Sequence, residues 1–356
     1  MKRCALAMHC TPYARSSISS YSWPIKYGAR IHYSLRFDKK SLDEYKPLPC
    51  PSIDGCRFRA AGSYNGLVCL VEDIDRDGYN CILWNPVINK VIRLPQPSSR
   101  FSIAIITVFG FDSKTNDYKV LRFAQADPCI EVEVYSLNAN CWTSISTPIA
   151  PKYGLFPSYI CRYGKCFVNG AIHLLAYDRN GPRSRNLVLA FDVSEQVFTE
   201  IPLPECLSYD DLIDAEVLKY GQSSIATVTR KWGHFSLWAM EEYAVATTWT
   251  EVWWVMAAEG TVSRVLFVRR DEQVFVPLEG GRIASFDIKT KYLDHIFGVE
   301  SIGSLEDCLA VDSYVESLVL LDKCCNGRWD VIPIDQDYAN STHEFTFNFF
   351  NLKYWG

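Results

Sequence analysis

The chain has 356 residues, 48% of them hydrophobic, enough to bury a substantial core. Its formal net charge of −5 argues against a general nucleic-acid binder, which carries a basic footprint. No apolar run approaches the ~18 residues needed to cross a bilayer, so a cytoplasmic or nuclear protein is expected.

Residues 1–30 contain no acidic residue and are rich in Ser and Arg. That composition overlaps with organelle transit peptides, but over so short a stretch it reads as a poorly ordered leader. The apolar "CALAM" (4–8) is too short for a secretory signal. Without such a signal, the 14 cysteines are read as reduced, small hydrophobes. Neither Cys161 with Cys166 nor the adjacent Cys324-Cys325 has the spacing of a zinc pair, and no metal or other cofactor is expected.

The stretch "LRFDKKSLDEYKPLP" (35–49) reads as a strand, a polar turn and a second strand closed by proline. The same pattern, a β-prone run with an aromatic near its end and then a small polar residue, recurs along the chain. Its aromatics are Phe37, Trp84, Tyr135, Phe191, Trp238 and Phe286, at intervals of about 50 residues. Three copies end alike, at Pro49, Pro95 and Pro204, and proline ends a strand because it cannot donate to a continuing ladder. Trp142 and Trp249 take the equivalent second-strand position in two other copies.

Each aromatic is preceded by a further strand segment, examples being 65–70, 117–123, 169–177, 223–230 and 272–278. Asn65-Gly66 and Asn169-Gly170 supply the positive φ that tight hairpins need. Almost no 3.6-residue periodicity appears, and the one plausible helical stretch is 205–216. Short turns throughout imply antiparallel sheet. The fold class expected is all-β, a kelch-like β-propeller of six blades, with five and seven as the alternatives. After the last aromatic, "CLAVDSYVESLVLLD" (308–322) offers two β-prone runs with no third or fourth strand behind them. It is expected to pair with 31–49 and close the first blade from both chain ends. The tail 323–356 is left without an assignment.

In order along the chain stand "GSYNGLVCL", "LWNPVINKVIRLP", "FGFDSKTNDYKVLRF", "VEVYSLNANCWTSI", "FVNGAIHLLAY" and "VLAFDVSEQVFTEIPLP". Together they resemble the F-box-associated domain of plant F-box proteins, most closely the group at self-incompatibility loci. The resemblance covers residues 31–322. Two small departures touch strand packing: His173-Leu174 stands where the family usually has His-Trp, and "YAVATTW" lacks a Gly before its Trp. A larger one is the leader, where "SSISSYSWPIK" lacks the helical periodicity of an F-box.

No catalytic constellation is legible: nucleotide-binding glycine loops, H-E-x-x-H and G-x-S-x-G are all missing. The six histidines are scattered. "DSKTND" (112–117) lacks the Gly and distal Glu of a calcium loop and reads as a β-turn. Trp84, Tyr135 and Trp238 are read as packing between blades. In Trp253-Trp254, strand alternation sends the rings to opposite faces, leaving one able to meet a partner.

Propellers present loops at one end of the ring as a recognition surface. The candidate loops are the basic 177–186 (Arg179, Arg183, Arg185), the basic 229–234 (Arg230, Lys231) and the acidic 205–216 (Asp210, Asp211). The resemblance implies the substrate-recognition part of an SCF-type E3 ubiquitin ligase, binding a target protein. In the self-incompatibility group that target is a basic style ribonuclease. Docking of a Skp1-type adaptor is not expected from residues 1–30. The alternatives are a sugar-acting propeller enzyme and a carbohydrate-binding propeller.

Overall fold

The structure is a computed structural model. It describes residues 3–11, 30–37, 44–48, 51, 58–72, 80–97, 105–126, 129–145, 153–155, 165–209, 215–231, 234–256, 264–269, 273–278, 282–297, 310–322 and 330–332. Their strands form six antiparallel sheets.

Sheet 1 draws on both ends of the described chain. Its strands β1 (Arg3–Thr11), β2 (Arg30–Phe37) and β3 (Glu44–Leu48) are completed by β25 (Ala310–Val315), in the order β25-β1-β2-β3. Sheet 2 holds β4 (Phe58–Tyr64), β5 (Leu67–Glu72), β6 (Cys81–Asn85) and β7 (Lys90–Arg93), and sheet 3 holds β8 (Ile105–Asp112), β9 (Asp117–Ala126), β10 (Cys129–Ser136) and β11 (Cys141–Ile145). In sheet 4 the inner position is split between β12 (Tyr153–Leu155) and β13 (Lys165–Val168), followed by β14 (Ala171–Asp178), β15 (Arg185–Asp192) and β16 (Phe198–Pro202). Sheet 5 has β17 (Glu216–Tyr220), β18 (Ser224–Lys231), β19 (His234–Met240) and β20 (Trp249–Met256). Sheet 6 has β21 (Phe267–Arg269), β22 (Gln273–Pro277), β23 (Ile283–Asp287) and β24 (Leu293–Phe297).

This is an all-β propeller. The expected six blades are corrected to five, sheets 2 to 6, each built on strands contiguous in sequence; the first copy belongs instead to the composite sheet 1. The two chain ends share a sheet, but not by the pairing expected: β25 pairs with β1 rather than with 31–49. Part of the segment read as a leader, Arg3–Thr11, is the strand between β25 and β2. The second β-prone run, after Val315, is not a strand but crosses sheet 2 and is pinned there: Asn85 Nδ2 donates to the Ser317 and Val319 carbonyls, at 3.0 and 2.7 Å. The chain then adds β26 (Asp330–Ile332) to the outer side of β7, giving the tail a place on sheet 2.

The core lies between sheets, and sheets 2 to 5 bury both faces against their neighbours. Five apolar layers separate successive sheets, built around Trp84, Tyr135, Phe191, Trp249 and Trp253. Trp84 and Tyr135 are fully buried and Trp238 is partly buried, as packing between blades requires. Trp142 Nε1 donates to the Pro95 carbonyl at 2.7 Å, and Trp249 Nε1 to that of Pro202 at 2.9 Å. In both cases an outer-strand Trp staples its sheet to the proline segment closing the sheet before it. Between β9 and β10, Arg122 and Glu133 face each other in register as an ion pair of 2.6 Å, both side chains almost wholly buried. The Arg122 guanidinium also lies 5.7 Å from the Trp142 ring centroid.

One turn recurs where a strand ends in a small polar residue. Asn85, Asp112, Ser136, Asp192 and Asp287 each accept backbone N–H groups two or three residues ahead. Four residues after each stands a residue with positive φ: Asn89, Asn116, Asn140, Gln196 and Lys291. The side chain mimics a backbone turn and the left-handed residue brings the chain back into register. "DSKTND" is one of these turns, as its sequence suggests.

Candidate recognition surface

Strands alternate in direction, so the connections fall into two sets. The turns after the first and third strands of each sheet, including all five polar turns, share one end. Connections 179–184 (β14–β15), 203–215 (β16–β17) and 232–233 (β18–β19) share the other. All three candidate loops therefore stand at one end of neighbouring sheets 4 and 5.

Two of them meet. A cleft of about 420 Å³ is lined by Asp178, Asn180, Gly181, Pro182, Arg183, Arg185 and Tyr209. The hairpin forms one wall. Tyr209, which follows the short helix α1 (Glu205–Ser208), stands half-exposed on the other. Asn186 Nδ2 donates to the Leu207 carbonyl at 3.0 Å and holds α1 against β15. Ser208 Oγ donates back to the Leu203 carbonyl at 3.1 Å, fixing the turn of chain that carries Tyr209.

The basic residues differ in their freedom. Arg185 is held by Glu200 at 2.8 Å and lies 3.9 Å from Asp178, while Glu200 also accepts the Tyr153 hydroxyl. Its charge is largely spent on organising the cleft wall. Arg179 stacks 5.5 Å from the Tyr177 ring centroid. Arg183 is exposed at the hairpin tip. On sheet 5, Arg230 lies 5.5 Å from the Phe235 ring centroid, and Lys231 is exposed beside it. Asp210 and Asp211 lie outside the described residues. Tyr209 and Asp178 were missing from the sequence reading; the aromatic beside "DD" was the available signal.

Away from the cleft, towards the turn end, sheets 4 and 5 meet through neutral groups. His173, on β14, shares a hydrogen bond of 2.9 Å with the Tyr243 hydroxyl of sheet 5. Burial pushes the imidazole down to about 4 and the Tyr243 phenol up to about 12. Burial likewise raises the Cys166 thiol to about 12, leaving it an inert packing group. Among the described residues no group of three His, Cys, Asp or Glu could hold a metal ion. No helix of the described residues is long and apolar enough to cross a membrane.

A β-propeller with its irregular connections gathered at one end has the form of a binding scaffold. The model for the F-box associated beta propeller domain matches residues 21–321, and the chain belongs to that family. It is 27% identical to the F-box protein CPR1 of Arabidopsis thaliana, over 82% of this chain and 75% of that protein. It is also 27% identical to the Arabidopsis F-box protein At4g22390, over 82% of this chain and 76% of that one. These relatives are named as F-box proteins rather than as enzymes. Among solved structures, TolB from Acinetobacter baumannii matches with a TM-score of 0.47 at 7% identity, over 88% of this chain and 66% of that one.

Proposed function

We propose that this chain is a protein-recognition module, the target-binding part of an SCF-type ubiquitin ligase, and that it binds with the loop end of sheets 4 and 5. Family membership supports the role, and the cleft between the basic hairpin and Tyr209 supports the place. A wall of Arg185, Glu200 and Tyr153 beside exposed cations (Arg183, Lys231) suits recognition of another protein's charged surface. Such charges steer encounter and select partners more than they add affinity. The composite sheet packs against sheet 2. Its strand β25 lies beside β4, where Asp312 accepts the Ser63 amide at 3.0 Å and hydroxyl at 2.9 Å and pairs with Lys219 of sheet 5 at 3.3 Å. The adaptor contact belongs to an F-box, and a self-incompatibility ribonuclease is one target class to test.

The test is paired affinity capture from plant extract, using the chain with an F-box fused in front and the same fusion carrying Arg183→Glu and Lys231→Glu. Both should recover the Skp1-type adaptor, and only the unaltered loops should recover the target proteins. Recovery of the same targets by both would overturn the loop-end assignment.

A further inference from the structure

The outer edges of the sheets are not alike. On sheet 2, β26 covers β7. On sheet 3, β11 exposes Cys141, Thr143 and Ser144; on sheet 4, β16 exposes Thr199 and Pro202. Polar residues and proline are ordinary protections for an edge strand. Sheets 5 and 6 carry polar residues too, Thr250 and Glu251 on β20 and Asp294 and His295 on β24, but large apolar side chains are exposed beside them. There β20 exposes Trp254 and Met256, and β24 exposes Leu293 and Ile296 at 51% and 48%, with Tyr292 just before it at 77%. Lys291 Nζ lies 4.5 Å from the Trp254 ring centroid, so the two strips adjoin. Adjoining exposed apolar side chains of this size mark an interaction site.

Among the described residues no strand pairs with the outer side of β24. An edge of this kind is a template for another strand. The molecule itself shows what an outer edge accepts. Antiparallel β26 sets Val331 partly buried against the layer beneath β7, and Asp330 faces Arg93 at 3.8 Å. It is an apolar residue flanked by an acid that meets a cation on the edge. On sheet 6 the matching cations are Lys289 and Lys291, exposed in the turn that leads into β24. The carboxylate on the edge, Asp294, is already engaged by Gln273 Nε2 at 2.6 Å and by His295 at 3.1 Å.

We infer that β24 receives an extended segment of a partner protein by antiparallel strand addition, apolar at alternate positions and acidic at its C-terminal flank. Antiparallel pairing sets the C-terminal end of the incoming strand beside the first residues of β24, where Lys289 and Lys291 stand. The apolar positions lie against Leu293 and Ile296, with Trp254 next to Lys291 at the start of the strip. This surface is separate from the loop-end cleft and does not rest on its reading.

The probe is a fluorescein-labelled peptide, Val-Thr-Val-Thr-Val-Asp-Asp, titrated by anisotropy against the full chain, with hydrogen exchange followed on the bound state. Saturable binding is expected, with exchange slowed at 293–297. Replacing the terminal acids by Lys-Lys should weaken binding about tenfold, since like charges then meet at the turn. Ile296→Lys and Leu293→Lys, both at exposed positions, should each abolish binding, and Thr143→Lys on β11 should leave it unchanged. The inference is overturned by a lack of saturable binding, by binding that survives both β24 variants, or by protection lying elsewhere. It is also overturned if the chain forms a dimer that Ile296→Lys dissolves, which would give the edge to a second copy.

Discussion

At the turn end, five connections share one geometry, a polar side chain closing the turn and a left-handed residue four positions on. At the loop end, the described connections differ from one another: 179–184 is an exposed hairpin, while 203–209 forms a short helix held by Asn186 of β15. The turn end repeats because its task, reversing a strand, is the same in every sheet. The loop end varies without disturbing the layers. Substitutions should therefore split: those in the layers and turns act on stability, and those at the loop end act on binding.

The largest effect is expected inside the layers. Arg122→Met strands Glu133 as a buried charge and should cost about 3–5 kcal/mol in urea unfolding. An unchanged midpoint would show that the pair contributes nothing to the layer between sheets 2 and 3.

Acid should act through His173. The folded imidazole titrates near 4 and the unfolded one near 6.5, so its contribution is fully present above 6.5. It is lost as pH falls from 6.5 through about 4, up to about 3 kcal/mol in all. Unfolding free energies across that range should fall more steeply for the native chain than for His173→Gln. Parallel curves would show that this histidine is not the group responsible.

A smaller loss, about 1 kcal/mol, is expected for Asp287→Ala, which removes the carboxylate closing the last polar turn. Smallest is Arg183→Ala, exposed at the hairpin tip, whose unfolding midpoint should barely move. A clear shift there would break the contrast between the two ends.

Sequence carried the parts of this fold that local chemistry decides. The aromatic followed by Asp, Asn or Ser is legible because both roles, packing and turn closure, lie within a few residues. Trp253 and Trp254 are separable because alternation alone puts one in the core and leaves the other 40% exposed. What escaped was decided by distant chain. The apolar "CALAM" is too short to tell a strand from a fragment of leader, and β25 gives it a place. Three residues of β26 carry no period at all. The cleft needs Tyr209 brought to the hairpin by Asn186, a contact between strand and helix that no spacing announces. That no described strand pairs with the outer side of β24 was equally hidden, because a strand's sequence does not say whether another strand lies beside it.

The central claim, that recognition belongs to the loop end, is tested most directly by hydrogen exchange on the chain with and without a captured target. The account predicts slowed exchange in 178–186, 205–209 and 229–231, with the turns at 86–89, 193–197 and 288–292 unchanged. Protection at those turns, with none at the three loop segments, would contradict it.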